Sequence, residues 1–329
     1  MTSIHRRALL LSALPVATGL APLLARAQPS TTFPTKPLRL VVPGPPGGAT
    51  DQVGRRLAIG LSKTLGQQVI VDNRPGGSGI IAARSVLSSP PDGYTLYMGI
   101  TSTIQLPLLM PSIPVDFMRD FAPVSLLSQG SDVLVVSSKL GVNSVAEFVA
   151  LAKSRPGKLS IGSYGAGTTS HLNIELFKLR TKTDMIHVPY KGGAPLMTDL
   201  VGGQIDAGFV DGATTKTQVK NRNLRFLANT GVHPYPSLPQ LRTLGALGYP
   251  GFEASGFAAI FVAAGTPSPL IKQLSEAIRS EIHSPEMQNL YAENGSRPVG
   301  STPEEMAAQL QQDKPRWAAI VQEAKITLD

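Results

Sequence analysis

Two glycine-rich loops carry the residue types best suited to hold a small anion. The first loop spans residues 43–51 (PGPPGGATD), and the second loop spans residues 163–171 (SYGAGTTSH). Each follows a short apolar run typical of a strand and precedes a stretch typical of a helix. Glycine lets the backbone approach a ligand closely, and the first N–H groups of a helix have no partner within that helix. Together with the helix dipole, these donors favour an anion such as a carboxylate.

Both loops also fit purely structural roles at the level of sequence. The first loop is not a Walker loop, because no Lys followed by Ser or Thr ends it, and its glycine spacing does not match the dinucleotide fingerprint. A tight strand-to-helix turn would account for it as well. In the second loop, one hydroxyl of Thr168, Thr169 and Ser170 could cap the helix while the others face water. If the loops belonged to two lobes, they would face each other across a cleft and hold a carboxylate without an arginine.

The spacing of the histidines does not indicate a catalytic or metal site. Ser170 precedes His171, but neighbours on a helix point about 100° apart and cannot form a nucleophile–base pair. We interpret His171 as a packing or loop-bracing residue. His187 and His233 share no spacing with acids that suggests metal ligands. The sequence therefore predicts no catalytic residue, no metal and no cofactor.

Length and composition indicate a globular protein of two domains. The chain has 329 residues, of which 42% are hydrophobic and 16% charged, which is unlike a disordered chain. The absence of cysteine excludes disulfides, a thiolate metal site and a cysteine nucleophile. The formal charge is +8, but the basic residues are scattered, so nucleic-acid binding has little support.

The N-terminus has the layout of an export signal. A short basic start is followed by the mostly apolar residues 8–24 and by Ala25-Arg26-Ala27, which predicts cleavage after Ala27. A retained membrane anchor is the alternative, but the apolar run is shorter and more broken than the ~20 residues of a spanning helix. Arg6-Arg7 resembles a twin-arginine signal, although His5 stands where Ser or Thr is usual, so the export route stays open.

The remaining chain alternates between strand and helix patterns, which predicts mostly parallel sheets flanked by helices. The expected strands are 38–42, 69–71, 94–99, 133–136, 159–161, 185–188, 205–209, 224–227 and one within 252–262. The expected helices are 51–65, 80–87, a helix capped by Asn143 or Ser144 that ends at 154, 169–179, 194–201, 269–283, 285–294 and 303–325.

We predict two α/β lobes. Residues 28–128 and 256–329 form domain 1, and residues 129–255 form domain 2. The chain would cross between them near 125–132 and 252–257. Two such crossings make a hinge, with a ligand cleft between the lobes.

The sequence resembles the Bug-type family, the substrate-binding proteins of tripartite tricarboxylate transporters, over essentially the whole mature chain. The matching segments follow the family's order. They are residues 37–51 (PLRLVVPGPPGGATD), 65–79 (LGQQVIVDNRPGGSG), 92–98 (DGYTLYM), 120–127 (DFAPVSLL), 156–172 (PGKLSIGSYGAGTTSHL), 187–194 (HVPYKGGA), 200–206 (LVGGQID), 224–230 (LRFLANT) and 264–267 (AGTP).

The resemblance implies a periplasmic protein with a two-lobed, Venus-flytrap fold. Such a protein captures a small organic carboxylate and delivers it to membrane permease subunits; we expect it to be a monomer. The ligand role is carried over to the two loops, and strand ends and neighbouring positions add further residues. The predicted ligand-binding residues are Pro45, Pro46, Gly47, Gly48, Thr50, Asp51, Thr101, Ser102, Ala166, Gly167, Thr168, Thr169, Ser170, Tyr190, Asp211 and Phe257.

Two positions depart from the family pattern. Val210 stands where many members have an acidic residue, and Phe257 where many have Trp. Asp211 is one place later, and alternation along a strand would turn it to the opposite face, so its contact with the ligand stays open. Two alternatives also stay open: a protein that presents its ligand to a membrane sensor kinase, and an exported hydrolase that uses Ser170 or Ser163.

The predicted signal can be tested by intact-mass measurement of the exported protein. We expect a product that begins at Gln28, because signal peptidase requires the small residues Ala25 and Ala27 before the cut. A membrane-bound product that retains residues 1–27 would contradict this prediction.

Overall fold

Strands and helices alternate along residues 33–110, 112–253 and 256–328, which are the parts of the chain that the computed structural model describes. The strands are β1 (Leu38–Val42), β2 (Val69–Asn73), β3 (Thr95–Ile100), β4 (Phe121–Gly130), β5 (Val133–Ser137), β6 (Ser160–Ser163), β7 (Ile186–Pro189), β8 (Ala207–Val210), β9 (Leu224–Asn229), β10 (Gly256–Ala263) and β11 (Ser296–Pro298). The helices are α1 (Ala49–Leu65), α2 (Ile80–Leu87), α3 (Ser102–Leu109), α4 (Phe117–Asp120), α5 (Val145–Ser154), α6 (Thr169–Thr181), α7 (Gly193–Gly202), α8 (Gly212–Lys216), α9 (Ser268–Ile282), α10 (Pro285–Glu293) and α11 (Pro303–Glu323).

The strands form two separate sheets, one in each lobe. The first sheet has the order β11-β4-β10-β3-β1-β2, and the second has the order β7-β6-β8-β5-β9. The first sheet takes strands from both ends of the described chain, and the second takes only strands from its middle. The chain therefore leaves the first lobe, builds the second and returns, and the prediction of a two-lobed α/β fold is confirmed.

Both sheets are mixed, so the prediction of mostly parallel sheets is wrong in that detail. In the first sheet, β1 pairs in parallel with β2 and β3, whereas β10 runs antiparallel to β3 and β4. In the second sheet, β5 runs antiparallel to β8 and β9. Two of the reversed strands follow the crossings: β5 begins after the outward crossing, and β10 begins after the return. A strand that carries the chain between lobes has no βαβ crossover to impose parallel pairing.

Local sequence signals place several helix ends. In α1, Val53, Leu57 and Leu61 are buried at the expected spacing of four, and Gly66 ends the helix in the left-handed conformation at φ 67°, which glycine adopts without steric cost. Of the two proposed caps of α5, Ser144 is the one used, since its side chain accepts the N–H of Glu147.

Helix α11 packs against both lobes. It contacts α3 from the first lobe and α6 from the second. Its Trp317 is fully buried in an apolar cluster that also includes Ile104 of α3 and Leu172 of α6. The lobes therefore share apolar packing in addition to the chain crossings.

The outward crossing is short and held by hydrogen bonds. Only Ser131 and Asp132 separate β4 from β5. The N–H of Asp132 donates to Thr230 Oγ1 at 2.9 Å, and the N–H of Thr230 donates to the carbonyl of Asp132 at 2.9 Å. These bonds fix the backbone at the point where the chain enters the second lobe.

The export signal expected in residues 1–27 lies outside the described residues. Within the described residues, no helix is both long enough and apolar enough to cross a membrane.

Burial along α1 gives a matched pair of stability variants. Leu57 is fully buried and Ile59, half a turn away, is half exposed. We expect Leu57→Ala to lower the free energy of unfolding by about 2–5 kcal/mol, because it leaves a cavity, and Ile59→Ala to change it by less than about 1 kcal/mol. Urea unfolding followed by circular dichroism measures both. Equal losses would contradict the placement of this helix.

Candidate ligand-binding site

A cavity of about 700 Å³ lies between the two lobes. Four helices of eight or more residues begin at its wall, through Thr50 of α1, Ser102 of α3, Thr169 of α6 and Gly193 of α7. The N-terminus of a helix carries a partial positive charge and unpaired N–H groups. The wall therefore offers anion-binding backbone from both lobes, and its volume suits a small molecule.

The first loop is braced by Asp51. Its carboxylate accepts the N–H of Gly47 at 2.8 Å, Nε of Arg55 at 2.9 Å and Nδ2 of Asn73 at 2.9 Å. Hydrogen bonds from Arg55, Gly47 and Asn73, of which the bond from Arg55 has the largest effect, together lower the pKa of Asp51 to about 2, against the effect of burial. With its oxygens bound in this way, Asp51 shapes the loop, and only Gly48 and Thr50 of the loop reach the cavity wall.

The hydroxyl residues of the second loop have two roles: one stabilises the fold, and the others line the cavity. Ser170 is fully buried, and its Oγ donates to the carbonyl of Phe209 at 2.6 Å. Thr168 and Thr169 line the cavity. Gln105 of α3 donates to Thr169 Oγ1 at 3.2 Å, which is a hydrogen bond from one lobe to the other.

A third part of the wall comes from strand ends of the first lobe. Thr101 follows β3, and its Oγ1 accepts the N–H of Phe257 at 2.7 Å. Ser102 donates to the carbonyl of Ser78 at 2.8 Å. All four residues line the cavity, and Phe257 is buried.

Asp211 lies at the cavity wall, although strand alternation could have turned it away. Strand β8 ends at Val210, which is buried, so Asp211 stands beyond the strand. There it caps α8 by accepting the N–H of Thr214 at 2.9 Å. Tyr190 is placed differently: its hydroxyl donates to Asp199 at 2.7 Å, and it is not among the residues of the cavity wall.

The structure thus brings half of the predicted ligand-binding residues to one cavity. Those that line it are Gly48, Thr50, Thr101, Ser102, Thr168, Thr169, Asp211 and Phe257. Those that do not line it are Pro45, Pro46, Gly47, Asp51, Ala166, Gly167, Ser170 and Tyr190. The second group lies in the supporting parts of the loops or beyond them, and a direct ligand contact stays a prediction for both groups.

Sequence reasoning missed a buried acid in the wall. Asp132 lines the cavity and is 5% exposed. Its carboxyl accepts the hydroxyl of Tyr164 at 3.3 Å and Nδ2 of Asn173 at 2.9 Å. Burial raises the pKa of Asp132 to about 7, with a smaller contribution from the charge of Asp211, while the bonds from Asn173 and Tyr164 oppose the shift. Because the three residues lie on separate elements, no local spacing signals the cluster.

Sequence reasoning also missed a histidine pair. The rings of His171 and His187 stack at a centroid distance of 4.2 Å, and ligand atoms of these residues and Glu175 lie within 4.8 Å of one another. A zinc ion binds about 2.1 Å from an imidazole nitrogen, and stacked rings do not converge on one such point. Burial lowers the pKa of both histidines. For His187, burial together with the neighbouring charges of His171 and Lys178 lowers the pKa to about 4. The pair braces the second loop, since Gly167 donates its N–H to His171 Nδ1 at 3.1 Å.

Solved structures of known proteins share this architecture. An R. palustris protein determined with adipate has a TM-score of 0.81 and 33% identity, and the match covers 90% of this chain and 99% of that one. MatC from Rhodopseudomonas palustris, with bound malate, has a TM-score of 0.76 and 27% identity, covering 88% of this chain and 100% of that one. The fold and the cavity define a two-lobed solute-binding protein, not an enzyme.

Sequence comparison gives the family. The profile described as "Tripartite tricarboxylate transporter family receptor" matches residues 53–326. Protein BugT of Bordetella pertussis is 36% identical over 297 residues, which are 89% of this chain and 90% of that protein. This chain belongs to the tripartite tricarboxylate transporter receptor family, and the predicted resemblance is confirmed.

The hydrolase alternative does not fit the site. Ser163 does bond to His187 Nε2 at 2.8 Å, but it is fully buried and is not among the residues of the cavity wall. Ser170 is bound to a backbone carbonyl. Both serines therefore act in the structure of the second loop.

The raised pKa of Asp132 predicts a pH-dependent stability. In the unfolded chain this carboxyl ionises near pH 3.8, and in the folded protein near pH 7. Ionisation of this carboxyl is thus harder in the folded state, so its contribution to stability should fall as the pH rises from about 4 to about 7. His187, whose pKa is lowered, acts in the opposite direction, but it does so equally in wild type and in a variant of Asp132. We expect Asp132→Asn, which does not ionise, to gain stability relative to wild type over that window, by at most about 4 kcal/mol. Urea unfolding at pH 4 to 8 measures the difference, and parallel curves would contradict the prediction.

Proposed function

We propose that this chain is an exported, periplasmic binding protein that captures a small organic carboxylate between its lobes and delivers it to the permease subunits of a tripartite tricarboxylate-type transporter. The observation that carries this proposal is the convergence of helix N-termini from both lobes on one cavity. Backbone donors at helix N-termini bind anions without a salt bridge.

The side chains of the wall agree with such a ligand. Hydroxyls of Thr50, Ser102 and Thr169 stand among these helix starts. Among the described residues that line the cavity, Lys191 is the sole lysine or arginine, and it is exposed. Relatives of the same fold were determined with adipate and with malate, and both are small carboxylates.

The proposals that the protein is exported and that it has a permease partner rest on other observations. The N-terminal sequence has the layout of a cleaved signal, and the family is described as receptors of a transporter. Binding between two lobes suits delivery, because a permease can distinguish the closed, loaded form from the open one.

Two neighbouring hydroxyls test the site. We expect Thr169→Ala to weaken binding of a carboxylate probe such as adipate by about 0.5–1.5 kcal/mol, the net value of one hydrogen bond, because Thr169 lines the cavity. Ser170→Ala should leave the affinity unchanged and lower stability instead, because its hydroxyl bonds to Phe209 away from the cavity.

Calorimetry on both folded variants measures the difference, after a thermal-shift screen of mono- and dicarboxylates has selected the probe. A ligand at 100 times its dissociation constant adds about 2.7 kcal/mol to stability, which such a screen detects. If every carboxylate in the screen fails to raise the unfolding midpoint, the proposed function is wrong.

A further inference from the structure

Asp132 combines burial, position and a remaining capacity to accept hydrogen bonds. It stands at the outward crossing, with its backbone bonded on both sides to Thr230. Its side chain lines the interlobe cavity although the residue is 5% exposed. A side chain held at the hinge by its own backbone has little freedom to move away from a bound ligand.

The hydrogen bonds of Asp132 favour the ionised carboxylate, against the burial that raises its pKa to about 7. Tyr164 and Asn173 both donate to it, and donors stabilise the form that only accepts. Burial raises the pKa of the Tyr164 hydroxyl well above its ordinary value, so this group remains a donor. Two carboxylate oxygens have about four acceptor sites, which leaves capacity for a donor that enters the cavity.

A second acid and an unpaired hydroxyl lie in the same wall. Asp211 lines the cavity while it caps α8. The hydroxyl of Tyr291 is buried and, among the described residues, has no hydrogen-bond partner, and Tyr291 also lines the cavity. An unpaired buried hydroxyl is costly, which points to a polar group of the ligand as its partner.

We propose that Asp132 is a specificity-determining residue that selects carboxylates bearing a second, cationic group, an ammonium above all. This inference rests on the proposed function and narrows its ligand class. The helix N-termini take the ligand's carboxylate, and Asp132, aided by Asp211, takes the ammonium.

The same geometry disfavours a dicarboxylate. A second carboxylate placed against Asp132 and Asp211 would meet like charge in a desolvated place, which costs far more than the same contact in water. Lys191 does not offset this, because its exposed ammonium is screened by solvent.

Matched ligands isolate the charge at the far end. Calorimetry at pH 8 compares 6-aminohexanoate, adipate and hexanoate. These ligands share a six-carbon chain with a carboxylate at one end, and the other end carries an ammonium, a second carboxylate or a methyl group. The comparison is repeated with 4-aminobutanoate, succinate and butanoate. We expect the ammonium member of at least one series to bind about 10- to 100-fold tighter than the dicarboxylate of equal length, as for one charge-assisted hydrogen bond.

Three variants assign that preference to a residue. Asp132→Asn keeps the shape of the side chain and should remove most of the preference for ammonium over dicarboxylate. Asp211→Asn should reduce it less, and it keeps the helix cap, since Asn caps as well as Asp. Asp184→Asn removes an exposed acid of the same lobe and should leave the preference unchanged.

The outcomes separate the two proposals. Dicarboxylates that bind as tightly as their ammonium counterparts, or an unchanged preference in Asp132→Asn, would overturn the role of Asp132 and leave carboxylate capture intact. Failure of every carboxylate to bind would overturn both.

Discussion

One constraint underlies the rest of the structure: strands of both lobes end toward the cleft, so that the helices that follow them begin there. In both lobes, β1, β3 and β6 each end at the cleft, and α1, α3 and α6 begin there. Since the first N–H groups of a helix lack partners, the cleft is rich in donors whatever side chains occupy it. Anion binding therefore depends on topology first, and the wall residues tune it.

That dependence explains why local structure could be predicted from the sequence. The spacing of four along α1, the Gly66 stop and the Ser144 cap are short-range signals, and each holds in the structure. Helix α3 was not predicted, because it is buried on most sides, so that its apolar residues show no one-sided spacing, and because it contains Pro107. The mixed pairing of the sheets could not be predicted from the sequence, because the direction of pairing depends on strands far apart in the chain, such as β3 and β10.

The same distinction between local and long-range signals applies to the residues of the candidate site. Gly48, Thr50, Thr168 and Thr169 could be found because the two loops are contiguous in sequence. Asp132 could not, because its partners Tyr164 and Asn173 are 32 and 41 residues away. Local patterns thus predict the two loops at the cavity, whereas the cluster around Asp132 consists of side chains that only the tertiary fold brings together.

The position of α11 has a consequence for how the cleft opens. Its contacts with α3 and α6 give the lobes an attachment besides the chain crossings. A hinge with an extra apolar attachment cannot swing freely, because any rotation must slide one helix surface over another or expose apolar area to water. Opening the cleft therefore requires work against hydrophobic contact around Trp317 as well as against contacts with the ligand.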